Sequence, residues 1–138
     1  MASREQTQAA SQFISAYNDH DLQRLGSQLA PDCLYEEIAT GRRAEGREQI
    51  LELFQGWMQA MPDSNGTVTS AVGADDTVGL EVRWQGTMTG PFGDFQPTGK
   101  RQVTPAALFF SFEGEQVRQF RQYFDSMALY QQLGLTAP

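Results

Sequence analysis

The chain has 138 residues, 40% of them hydrophobic, with 17 acidic against 10 basic side chains for a net charge of −7. That length suits one domain able to bury roughly 68–70% of its unfolded surface, and the composition is that of a globular chain, not a disordered one. The basic residues are scattered (Arg42, Arg43, Arg47, Lys100, Arg101, Arg118, Arg121). No stripe neutralises phosphates, so nucleic acid is not an expected partner. A lone Cys33 excludes an internal disulfide, and with a lone His20 it leaves no zinc or iron ligand set. Neither a metal nor a cofactor is expected. Residues 1–8 lack the apolar core of a signal peptide, and no apolar run approaches the roughly 18 residues of a membrane span. A reducing cytoplasm is the expected location, and a membrane is not an expected partner.

In chain order, Ala9, Ala10, Phe13, Ala16 and Tyr17 recur at helical spacing and predict a first helix over residues 4–18. Asp21 is placed to cap a short second helix carrying Leu22, Leu25 and Leu29, which Pro31-Asp32 stops. Residues 33–38 read as a strand with Cys33 as a small core residue, and Thr40-Gly41-Arg42-Arg43 as a loop. A third helix opens near Gly46. Its stripe of Ile50, Phe54, Trp57, Met58 and Met61 lies on one face, and Pro62 ends it. The period then changes to two. Thr67–Val72 and Val78–Thr89 are strands about the turn at residues 73–76, and Gly90–Phe95 is a loop with aromatic teeth. Residues 101–112 and 116–124 are strands about a tight turn at Gly114, and a short helix over 127–132 closes the chain. Three helices followed by an antiparallel meander predict an α+β layering, with the helices on one face of a curved sheet.

Two stretches are more specific. The first is Gly86-Thr87-Met88-Thr89-Gly90-Pro91-Phe92-Gly93 with Pro97-Thr98-Gly99-Lys100-Arg101. The second runs from Gln116-Val117 through Tyr123-Phe124-Asp125 to Gln131-Gln132-Leu133-Gly134-Leu135. With Tyr17-Asn18-Asp19-His20-Asp21-Leu22 and Gly46-Arg47-Glu48-Gln49-Ile50, they resemble the SnoaL-like polyketide cyclase, or ester cyclase, branch of the nuclear-transport-factor-2-like superfamily over about residues 10–135. The resemblance implies a cone-shaped fold around a central pocket. It also implies a cofactor-independent cyclase, isomerase or hydrolase of a small, largely apolar carbonyl compound. A non-catalytic binder of the same fold is the alternative, because the fold hosts many functions.

The resemblance places Asp125, at the end of the last strand, in the pocket as a general acid and base; the bland alternative is a helix cap for Met127 or Ala128. Alternation puts Val117, Gln119, Arg121, Tyr123 and Asp125 on one sheet face and Arg118, Phe120, Gln122 and Phe124 on the other. Arg121 beside Asp125 either holds an oxyanion or forms an ion pair without a catalytic role. Glu37 falls on the general-base position of the ketosteroid isomerases that share the fold, with a solvated strand-end glutamate as its alternative. That isomerase's oxyanion donors correspond to Phe13 and Leu108 here, which disfavours a steroid isomerase. Other departures are Met88 and Gln119, where relatives carry histidine and an acid. Tyr17, Tyr35, Gln119 and Tyr123 remain as polar pocket candidates, with Trp57, Met61, Trp84, Met88, Phe92 and Phe109 as apolar wall. Phe92 and Phe95 are candidates to gate the mouth. Phe120 and Phe124, opposite Asp125, need cover, which predicts a homodimer through the outer sheet face.

Overall fold

A computed structural model describes residues 4–135. Helix α1 is Arg4–Asn18, α2 is Leu22–Ser27, α3 is Arg47–Ala60 and α4 is Ser126–Leu133. The strands are β1 Leu29–Glu37, β2 Arg42–Glu45, β3 Asn65–Ala74, β4 Thr77–Thr87, β5 Arg101–Glu113 and β6 Gln116–Phe124. They form one six-stranded curved sheet in the order β2-β1-β6-β5-β4-β3. Strands β3 to β6 are the expected antiparallel meander, and β1 joins it parallel to β6.

Two expectations fail at the start of the sheet. Leu29 opens β1 instead of closing α2: its side chain is buried and it pairs with Val117. Pro31 does not stop a helix; it sits where the β1 register shifts between Leu29 and Leu34, at an irregularity that a residue without an N–H tolerates. Residues 42–45 form the edge strand β2, where a loop was expected over 40–43, and only Ala44 of it is buried. Cys33 is buried in β1, where the sequence places it, and burial first, then the charge of Asp32, pushes its thiol up to about 12.

The core lies between helices α1 and α3 and the inner face of the sheet. Phe13 of α1 meets Phe54, Phe110 and Phe120 edge-to-face at ring-centroid distances of 5.8, 5.4 and 5.2 Å. Phe110 and Phe120, cross-strand partners, stack at 5.4 Å. Tyr35 completes the group 4.7 Å from Phe120. Each fully buried aromatic of this kind contributes roughly 1.5–3 kcal/mol by transfer alone.

That core fixes which face of β6 looks inward, and it reverses the sequence reading. Phe120 and Gln122 are buried on the helix side, while Arg121 and Tyr123 lie on the other face. Pairing of β5 with β6 slips between Ser111 and Phe112, which face Gln119 and Val117 respectively, leaving Arg118 as an extra residue. A bulge of one residue inverts the alternation beyond it, so Val117 is buried although it shares odd numbering with exposed Tyr123. Phe120 therefore needs no cover from a second subunit. The outer face still exposes Phe109 at 37% and Tyr123 at 41%, their rings edge-to-face at 5.9 Å.

Candidate functional site

Where β1 and β6 end and β5 begins, the layers part around a cavity of about 60 Å³. One ordered water needs roughly 10–15 Å³, so there is room for a small molecule's reacting part or several waters. The helices contribute Tyr17, Phe54 and Trp57, with Met61 just beyond α3. Strand β4 adds Trp84, and β6 adds Phe124 and Gln122. Gln102 and Thr104 of β5 line the far end, and Glu37 closes β1.

Glu37 is the one acid in this wall, and it is 1% exposed. Its Oε2 accepts from the Tyr35 hydroxyl at 3.0 Å and its Oε1 from the Thr40 hydroxyl at 2.8 Å. Among the described residues, the ion pairs Arg24–Asp19 and Arg43–Glu45 leave it out. Two hydroxyl donors therefore hold a buried carboxyl without a paired cation among the described residues, in a wall of aromatic, aliphatic and amide side chains. Burial, and next the negative charge of Glu37, pushes the Tyr35 phenol well above its usual 10, which keeps its proton in place. The chain of contacts continues inward: Gln122 Nε2 donates to the Tyr35 hydroxyl at 2.8 Å, and the Trp84 indole N–H donates to Gln122 Oε1 at 2.7 Å.

Two further polar pairs face the hollow. The Tyr17 hydroxyl and Ser64 Oγ lie 2.9 Å apart, and burial raises the Tyr17 phenol to about 12 against the opposing effect of that bond. Thr104 Oγ1 donates to Gln102 Oε1 at 2.6 Å, which turns the Gln102 amide nitrogen toward the Met61 sulfur at 3.8 Å.

Among the sequence candidates, Glu37, Tyr17, Trp57, Met61 and Trp84 are thus brought to one cavity, with Tyr35 immediately behind Glu37. Asp125 is not. It is exposed at the N-cap of α4, and its Oδ1 accepts from the Ala128 N–H at 3.0 Å. A carboxylate satisfies the orphan N–H of a first helical turn, so the local sequence before α4 explains this position in full. Arg121 makes no pair with Asp125; its guanidinium lies 6.0 Å from the Phe109 ring centre on the outer face. Phe109 and Tyr123 share that face, and Gln119 there donates to Glu36 Oε1 at 3.2 Å. These four do not reach the cavity. Met88 and Phe92 line a separate apolar hollow of about 10 Å³, which shares Trp57 and Met61 with the larger cavity. Phe92 stacks on Trp57 at 4.3 Å, with the Arg42 guanidinium above it at 5.3 Å.

Gln122, Ser64, Gln102, Thr104 and Phe124 are among the wall residues that sequence reasoning missed. The signal was present for Gln122, since it alternates with Phe120 and Phe124, and two phenylalanines two positions either side mark the core face. Among the described residues, no three or more His, Cys, Asp or Glu side chains are grouped to hold a metal ion. No helix among them is long and apolar enough to cross a membrane.

Residues 7–133 match the family model for SnoaL-like polyketide cyclases. The chain belongs to the SnoaL-like polyketide cyclase family. Solved structures agree in fold. IdmH of Streptomyces antibioticus, provisionally assigned as a polyketide cyclase, superposes with a TM-score of 0.82 at 22% identity, covering 96% of this chain and 100% of its own. AclR of Streptomyces galilaeus, provisionally assigned as a hydroxylase, gives 0.82 at 23%, covering 94% and 96%. A Catenulispora acidiphila protein with a ketosteroid isomerase-like fold, solved with trimethylamine, gives 0.80 at 22% over 100% of both chains. No curated protein matches the sequence. Identities this low carry the fold of the SnoaL-like family to this chain, not the chemistry of any one member.

Proposed function

We propose that this SnoaL-like protein is a cofactor-independent enzyme in which Glu37 acts as general base, then acid, on a small, largely apolar carbonyl compound. The observation that carries the reading is the buried Glu37 carboxyl in the cavity wall, held by two hydroxyls and, among the described residues, paired with no cation. Water exclusion leaves such a carboxylate poorly solvated and strengthens its pull on a C–H acidified by an adjacent carbonyl. Glu37 would take that proton and the electron pair would move into the carbonyl, giving an enolate. The enolate carbon would then attack a second carbonyl of the same molecule, as in aldol closure, and Glu37 would return its proton to the alkoxide formed; where a C=C is conjugated with the enolate, Glu37 would return the proton at its far carbon instead. Asp125 has no part in this reading.

A direct test uses 5-nitrobenzisoxazole, a flat aromatic probe whose C–H is removed by carboxylate bases in apolar surroundings. Loss of that proton opens the N–O bond and yields a coloured cyanonitrophenolate. Glu37→Gln, which keeps the shape and one accepting oxygen but puts a donating amide in place of the other, should lower the rate roughly 10²–10⁴-fold. An unchanged rate would defeat the proposal. The second reading, a binding module without turnover, is favoured by the single acid in the wall, and it predicts ligand protection against melting with no elimination in the wild type.

We propose further that the outer sheet face pairs two copies. Its exposed Phe109 and Tyr123 are flanked by both charge signs, Arg83 and Arg121 with Glu81 and Glu36, which suits a two-fold, self-complementary contact. Phe109→Glu should then halve the mass measured by light scattering. The free thiol of Cys33 is compatible with a reducing cytoplasm.

A further inference from the structure

The donors and acceptors behind Glu37 can be followed atom by atom. An indole N–H only donates, so the Gln122 atom 2.7 Å from Trp84 Nε1 is its carbonyl oxygen, and the amide nitrogen is the atom facing Tyr35. That nitrogen only donates, so the Tyr35 oxygen accepts from it, and the single Tyr35 proton is left for Glu37 Oε2. On the other side, Thr40 Oγ1 accepts from the Arg42 backbone N–H at 3.2 Å and donates to Glu37 Oε1 at 2.8 Å. Each Glu37 oxygen is thus placed to accept from a hydroxyl. This arrangement suits an accepting carboxylate, the form a base needs.

Among the described residues, the same inventory leaves one donor over. Gln122 Nε2 carries two hydrogens, and one is spent on Tyr35. The side chain is 8% exposed and lines the cavity beside Glu37. Laid end to end, the bonds through Tyr35 separate this nitrogen from Glu37 Oε2 by no more than about 6 Å. A carbonyl oxygen stands one atom removed from its α-carbon. A group that accepts from Gln122 can therefore present its α C–H to Glu37, each contact at roughly 3 Å.

We infer that Gln122 is the electrophilic partner of the reaction, donating its second amide hydrogen to the oxygen on which charge develops, with Trp84 as the residue that positions it. This rests on the reading of Glu37 as the base. It also narrows the substrate class to compounds whose acidic C–H and charge-accepting oxygen are separated by a single atom.

Substituted benzisoxazoles have that spacing, with nitrogen between the C–H carbon and the oxygen. As Glu37 takes the proton, the N–O bond breaks and the oxygen becomes a phenoxide. Gln122→Leu, which cannot donate, should lower kcat for 5-nitrobenzisoxazole about 10²-fold. The deficit should widen across probes with more basic phenoxide leaving groups, because a donor matters more as the charge on oxygen grows. A lesion that merely loosened the cavity would slow every probe by the same factor. Trp84→Phe, which removes one N–H and keeps an aromatic ring, should lower kcat several-fold with little change in KM, and it serves if Gln122→Leu does not fold. Elimination that Glu37→Gln abolishes but Gln122→Leu and Trp84→Phe leave intact would overturn this inference alone. Elimination that is absent in the wild type, or insensitive to Glu37→Gln, would overturn the base reading and this inference with it.

Discussion

Replacing Asp125 separates a capping role from a catalytic one. The side chain accepts from the Ala128 N–H at 3.0 Å and stands exposed before α4. Asp125→Ala leaves that N–H without its acceptor, a loss of about 1 kcal/mol, within the 0.5–2 kcal/mol range for N-caps. For a chain of 138 residues this lowers Tm by roughly 3–5 °C. Asp125→Asn retains a good capping oxygen and should melt within about 1 °C of the wild type. Because Asp125 lies outside the cavity wall, both variants should turn over 5-nitrobenzisoxazole at the wild-type rate. Thermal melts by circular dichroism and the elimination assay, run on the same preparations, read both quantities. An Asp125→Asn protein that melts normally but has lost tenfold or more in rate would refute the reasoning and restore Asp125 to the site.

Two other outcomes follow from the packing. Phe120→Ala empties the centre of the aromatic core, where four rings meet it within 6.1 Å or less. It should cost roughly 3–5 kcal/mol in denaturant melts, whereas a surface phenylalanine would lose well under 1 kcal/mol. Tyr17, raised to about 12 by burial, should leave a phenol that resists ionisation in an ultraviolet titration until near that pH. Its folded value exceeds the ordinary value of 10, so the stability it contributes is complete below pH 10 and is lost as pH climbs through about 12. A full tyrosinate signal by pH 11, with the fold intact, would contradict the burial of Tyr17.

The sequence carries the helices well because their apolar stripes are long. Phe13 and Tyr17 on α1, and Phe54, Trp57 and Met61 on and after α3, were legible as inward-facing, and all face the core or cavity. Strand β2 was not legible: four residues with one buried alanine show no period. The face of β6 was misread for a local reason. Val117 is apolar and shares odd numbering with Arg121 and Tyr123, and the bulge at Arg118 that breaks this alternation leaves no mark in composition. The resemblance reinforced the error by drawing attention to Asp125, whose capping geometry is as good a reason for an acid there as chemistry. Glu37 was recoverable, since it ends a strand with Cys33 and Tyr35 on the same alternating face. Its hydroxyl partners were less so: Thr40 lies beyond the strand, and Gln122 reaches Tyr35 across 87 positions of sequence.

The central claim is that Glu37 takes a proton from carbon next to a carbonyl. The most direct measurement is proton NMR of 2-tetralone, a flat aromatic ketone, incubated with the protein in deuterated buffer. The account predicts loss of the α-hydrogen signals at least about tenfold faster than in buffer, and a return to the buffer rate with Glu37→Gln. Exchange at the buffer rate with the wild-type protein, or equal acceleration by the Glu37→Gln variant, would contradict it.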